Sequence, residues 1–122
     1  MRFSEADDTS GNLITAYDAE GVVVGRQRYL AGLIVTPTQI VAPWAAPAAA
    51  LTITHLEQVL ALAPQVILLG TGTQQIFLAP QLQFAVLQRG IGLEVMNSAA
   101  ACRTYNILAA EGRRVAVALT QA

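Results

Sequence analysis

Three short apolar runs set the strongest limit on how this chain can fold. Val66-Ile67-Leu68-Leu69, residues 91–95 and Val115-Ala116-Val117-Ala118-Leu119 each have the length of a β-strand. The first is unbroken, which suits a central strand covered on both faces. Stretches with helical signals precede each run. Thr54-His55-Leu56-Glu57 has the spacing of a capping box, with the Thr54 hydroxyl and the Glu57 carboxylate exchanging backbone bonds. Leu56, Val59, Leu60 and Ala63 would form its apolar face, and the helix should stop before Pro64. Pro80 is placed to open a second helix, with Leu82, Ala85 and Val86 on one face and Gly90 closing it. Asn97 or Ser98 can cap a third, over about residues 99–110, with Ala101, Tyr105 and Leu108 aligned. The later half thus reads α-β-α-β-α-β, a pattern that implies parallel strands joined by right-handed crossovers.

The earlier part reads differently. Residues 13–17 and Val22-Val23-Val24 are β-type runs separated by turn chemistry at Asp18-Ala19-Glu20-Gly21. Leu33-Ile34-Val35 is stopped by Pro37, and residues 39–42 by Pro43. These are strands of antiparallel type. Residues 1–12 read as a loose polar arm and residues 13–122 as one domain. The expected fold is α/β, with a central mixed sheet, helices on its faces, and the antiparallel strands first.

Charged residues make up 12% of the chain, about half of what an average domain carries. No apolar stretch approaches the roughly 18 residues of a membrane span. The start, Met1-Arg2-Phe3-Ser4-Glu5-Ala6-Asp7-Asp8, lacks the apolar segment of a secretory signal, so a cytoplasmic location is expected. Seven scattered Arg face eight carboxylates, which excludes the basic stripe that a nucleic-acid partner requires. Between Tyr29 and Gln88 the one formally charged side chain is Glu57. Either the covered sheet absorbs this apolar excess, or part of it meets a protein partner.

The topology places candidate chemistry at one edge. If the strands at 66–69 and 91–95 are parallel, the loops at 70–73 and 96–98 follow their C-terminal ends, where open α/β sheets bind ligands. Gly70 and Gly72 would admit a close ligand, and Thr71, Thr73, Asn97 and Ser98 would offer polar groups. The third glycine of a dinucleotide fingerprint is missing, because Gln75 stands there, and no phosphate-loop lysine exists. Glu94 would act as a buried acid or base, or pair with Arg103 or Arg113. Cys102 reads as a packed helix residue and His55 as exposed. Arg103, Thr104, Tyr105 and Asn106 form a polar stretch suited to loop bonds or partner contact. No His, Cys or carboxylate cluster has metal-ligand spacing. Neither a catalytic residue nor a cofactor is expected.

The segments Gly90-Ile91-Gly92-Leu93-Glu94-Val95-Met96, Ala100-Ala101-Cys102-Arg103-Thr104-Tyr105-Asn106-Ile107-Leu108 and Glu111-Gly112-Arg113-Arg114-Val115-Ala116 resemble a small uncharacterised domain family. That family includes mitochondrial complex I assembly factor three. Leu68-Leu69-Gly70-Thr71-Gly72 is similar to its Gly-Thr-Gly element, and Tyr29, Leu33-Ile34-Val35, Pro37 and Trp44 fit its N-terminal pattern. The resemblance covers about residues 13–120. It implies a compact α/β fold with a mixed sheet, and no defined reaction or cofactor. It implies a protein-interaction or assembly role, with Gly70, Gly72, Glu94, Arg103, Tyr105 and Asn106 as recurrent positions. Asn97-Ser98-Ala99 replaces the family's Asp-Thr-Gly, so this loop lacks a carboxylate and a glycine. The alternative reading is a small-molecule site, or an enzyme of unassigned class, at the two sheet-edge loops.

Overall fold

A computed structural model describes residues 11–30 and 32–121. The expected arm falls mainly on residues 1–10, outside the described residues. Asn12 is already fixed, donating from its backbone N–H to the Pro37 carbonyl at 2.9 Å and from Nδ2 to the Thr36 carbonyl at 3.0 Å.

Eight strands and three helices follow among the described residues. They are β1 (Ile14–Asp18), β2 (Gly21–Val24), β3 (Gln27–Tyr29), β4 (Leu33–Val35), β5 (Ile40–Val41), α1 (Ile53–Leu60), β6 (Val66–Gly70), α2 (Pro80–Leu87), β7 (Gly92–Met96), α3 (Ser98–Ala110) and β8 (Val115–Leu119). A short 3₁₀ turn, Ala48–Ala50, precedes α1. Strands β1, β2 and β3 form an antiparallel meander. The other five form a mixed sheet in the order β5-β4-β8-β6-β7. In it β6 runs parallel to both neighbours, β7 and β8, while β4 is antiparallel to β8 and β5. The expected α/β domain with a mixed sheet is the observed one.

The central strands are apolar because both of their faces are covered. Every residue of β8 is buried, as are the last four of β6. On one face Leu68, Val115, Val117 and Leu119 pack with Ala101, Tyr105 and Ala109 of α3 and with Ile14, Val22 and Val24 of the meander. On the other, Ile67, Leu69, Ala116 and Ala118 pack with Leu56, Val59 and Leu60 of α1, Val86 of α2, and Trp44. Helix α3 is thus sandwiched between two sheets, and α1 and α2 form the opposite layer.

Several local expectations are corrected. The capping box forms two residues earlier. Thr52 is the N-cap, its Oγ1 accepts from the His55 N–H at 3.4 Å, and Nδ1 of His55 accepts from the Thr52 N–H at 3.0 Å. The His55 side chain does here what the Glu57 carboxylate was expected to do at Thr54, and the earlier start lets the Leu56 N–H bond to the Thr52 carbonyl at 3.3 Å. His55 is therefore half-buried rather than exposed. Helix α1 ends at Leu60, so Ala63 does not continue its apolar face. Pro64 bars the residue before it from the helical region, and Ala63 adopts φ 56° instead. Strand β3 carries Gln27 and Arg28 exposed on a small sheet, so no apolar run marks it in the sequence.

Candidate functional site

The two sheet-edge loops do meet, and they bond to each other. Strand β6 ends at Gly70, whose carbonyl accepts from the Thr120 N–H at 3.0 Å. The Thr71 N–H donates to the Met96 carbonyl at 3.0 Å. Oγ1 of Thr71 lies 2.7 Å from the Gln74 carbonyl and accepts from the Ile76 N–H at 3.0 Å. The Gly72 N–H donates to Oγ of Ser98 at 2.8 Å, and the Ser98 N–H returns a bond to the Gly72 carbonyl at 2.8 Å. Asn97 caps α3, its Oδ1 accepting from the Ala100 N–H at 2.9 Å. Thr71, Gly72 and Ser98 are all buried. The amides that would face a ligand in an open α/β edge are here largely spent on the protein itself.

Packing explains Gly70. A Cβ at that position would lie 2.7 Å from Cδ2 of Leu119 and 2.9 Å from both Cα and Oγ of Ser98. The glycine thus lets the start of α3 approach the end of β6. Gly72 sits at φ 90°, a conformation that favours glycine.

The α3 candidates divide into two groups. Tyr105 and Asn106 are fixed to the chain segment that enters the meander. The Tyr105 hydroxyl donates to the Asn12 carbonyl at 2.6 Å, and burial holds its pKa well above the usual phenol range. Asn106 takes the Ile14 N–H on Oδ1 at 2.9 Å and gives Nδ2 to the Ile14 carbonyl at 2.7 Å. Its amide therefore acts as a neighbouring strand at the outer edge of β1. Arg103 is exposed, beside a cleft of about 210 Å³ lined also by Thr15, Tyr17, Ala99 and Cys102. Cys102 is itself buried, and burial pushes its thiol up to about 12, which disfavours the nucleophilic thiolate.

Glu94 corrects a further expectation. It lies on β7 at the margin of the sheet, where its side chain is exposed, not buried. The ion pairs among the described residues are Arg28–Asp18 at 3.0 Å and Arg89–Glu57 at 4.0 Å, so Glu94 joins neither Arg103 nor Arg113 there. An apolar run looks the same in a central strand and at an edge, and only the strand order separates them. No group of three His, Cys, Asp or Glu among the described residues is placed to hold a metal ion.

A cavity of about 480 Å³ lies beside these loops, between Gly72, Thr73, Ser98 and Thr120 on one side and Tyr17, Asp18, Glu20 and Leu30 on the other. The Thr120 hydroxyl is buried without a hydrogen-bond partner among the described residues. The meander turn that closes this cavity was not foreseen as part of the region, because it comes from distant sequence.

Apolar side chains are exposed elsewhere. Phe77 is 87% exposed, Phe84 61% and Leu87 56%, with Ile76 next to Phe77 in sequence. All belong to the charge-poor stretch, and α2, which carries two of them, packs against β7. The sequence signalled this surface only through its missing charges.

Comparison with known proteins gives a consistent result. A Francisella tularensis protein named 13 kDa major membrane protein is 38% identical over 61 residues, 50% of this chain and 50% of that one. The mouse NADH dehydrogenase 1 alpha subcomplex assembly factor 3 is 42% identical over 55 residues, 45% of this chain and 30% of that protein. The chain thus spans half or less of these two relatives. A crystal structure of a Bordetella parapertussis protein matches with a TM-score of 0.81 at 43% identity, covering 88% of this chain and 93% of that one. The family model described as protein of unknown function (DUF498/DUF598) matches residues 14–120. With sequence, fold and nearly the full chain in agreement, the chain belongs to the DUF498/DUF598 family.

Proposed function

We propose that this chain is a non-enzymatic protein-interaction domain with an assembly-factor role, and that its partner meets the surface around Phe77, Phe84 and Leu87. The exposure of these three side chains carries the reading. Apolar patches of this kind on small domains mark contact sites, with aromatic residues as anchors. A mouse relative named as an assembly factor supports the role. Arg103, exposed beside the cleft lined by Thr15 and Tyr17, is the rival contact candidate against which this surface is tested.

No helix among the described residues is long and apolar enough to cross a membrane. We place the chain in the cytoplasm, and fractionation of native cells checks this, since one relative carries the name of a membrane protein.

Affinity capture from native cells tests the interaction reading. Wild type, the double variant Phe84→Ser with Leu87→Ser, and Arg103→Ala serve as baits. The same protein should be enriched by wild type and Arg103→Ala and lost with the double variant. Retention by the double variant would remove the patch from the account.

The unpartnered Thr120 hydroxyl supports a second reading, a small-molecule site in the adjacent cavity. Thermal-shift screening of metabolites against wild type and Thr120→Val separates the two. A metabolite that stabilises wild type alone would favour the cavity.

A further inference from the structure

The strand β7 ends the five-stranded sheet, with no partner on its outer side among the described residues. Its register shows which groups are free. The Gly92 N–H donates to the Gln65 carbonyl, and the Met96 carbonyl accepts from the Thr71 N–H. Backbone groups alternate along a strand, so Gly92, Glu94 and Met96 bond to β6, while Leu93 and Val95 turn their N–H and C=O groups outward. Side chains alternate too. Leu93 and Val95 lie on the α1–α2 side and Met96 on the α3 side, which assigns Glu94 to the α3 side.

We propose that β7 is a docking edge for an extended segment of another protein, which adds as a sixth strand and carries an apolar–basic–apolar pattern. This inference rests on the interaction reading above and specifies how the partner binds. Strand addition takes its affinity from main-chain bonds and its selectivity from alternate side chains. The two apolar residues of the added strand would lie opposite Leu93 and Val95, on the side carrying the exposed Phe84 and Leu87. The basic residue would lie opposite Glu94, in a non-hydrogen-bonded pair where cross-strand side chains come closest. Glu94 has no ion pair among the described residues and is exposed to receive one.

Charge also argues against a second copy of this chain as the occupant. An antiparallel β7–β7 pairing that uses all five residues sets Gly92 against Met96 and Glu94 against its own symmetry mate. Like charges directly opposite each other destabilise such a pair, and edge strands use charge to block self-pairing.

The test uses two labelled heptapeptides, Ser-Thr-Ile-Arg-Ile-Thr-Ser and its Glu-centred counterpart, titrated into the ¹⁵N-labelled chain. The Arg peptide should bind about fivefold tighter than the Glu peptide, and it should slow hydrogen exchange at the Leu93 and Val95 amides. Glu94→Lys should reverse the preference. Val95→Pro removes one outward donor at an edge position where proline is tolerated, and it should abolish binding. Equal affinity for both peptides, or unchanged exchange at Leu93 and Val95, would overturn the proposal. So would a dimer in sedimentation with those amides protected in the chain alone. If Val95→Pro still captures the cellular partner that Phe84→Ser with Leu87→Ser loses, strand addition fails while the interaction reading stands.

Discussion

At Gly70 the difference between glycine and alanine is one methyl group that meets the Cα of Ser98 at 2.9 Å. That contact is with backbone, so relief requires moving the start of α3. We expect Gly70→Ala to lower stability by about 1–3 kcal/mol, the usual range for overpacking, as measured by urea denaturation. Ala63 presents the reverse case. It holds φ 56° where glycine carries no side-chain penalty. Ala63→Gly should stabilise the fold, by up to about 1 kcal/mol after the added entropy of the unfolded chain is counted, and so raise the urea midpoint. A drop in midpoint would show that the turn does not hold this strain. Gly70 is legible as special in the sequence but its packing is not: a Gly-Thr-Gly string looks the same whether its amides face a ligand or a neighbouring loop. The bonding partner of the loop, Ser98, lies 26 positions from Gly72.

Elements were legible where local chemistry is unambiguous. Pro80 opens α2 and Asn97 caps α3 as their spacing implies. Local chemistry was ambiguous at Thr52 and Thr54, where two overlapping starts compete and a histidine can stand in for glutamate. It was silent at β3, whose exposed polar side chains resemble a loop. The link between α3 and β1 was equally invisible, since Asn106 and Ile14 are 92 positions apart. Asn106→Ala removes both bonds to Ile14 and leaves its backbone groups unpaired. A loss of about 2 kcal/mol is expected, and hydrogen exchange should accelerate in β1 more than in β8. At the β1–β2 turn, the Arg28 guanidinium and the Glu20 N–H hold the Asp18 carboxyl below its ordinary 3.8. A depressed carboxylate stabilises the turn above its ordinary value and loses that contribution as pH falls through the lower one. NMR shifts of Arg28 should therefore be unchanged on acidification to about pH 4 and move only below it. In Arg28→Ala the Asp18 titration should move up toward 3.8.

At the scale of the molecule, the charge-poor stretch divides between covered sheet and exposed surface. Most of its apolar residues cover the faces of β6 and β8, which are hidden on both sides. A remainder lies outside that core, including Phe77 and, on the helix that packs against the open edge strand β7, Phe84 and Leu87. Composition contained this surplus, but only the strand order shows where it surfaces. We propose contact with a partner for this surface, and a scaffold role for the bonded loops around Gly72 and Ser98. Site-specific photocrosslinking in native cells compares the two most directly. A photoreactive phenylalanine analogue at position 84 should yield a discrete adduct with another protein, while the same group at position 73 yields none. An adduct from position 73 with none from position 84 would contradict the account.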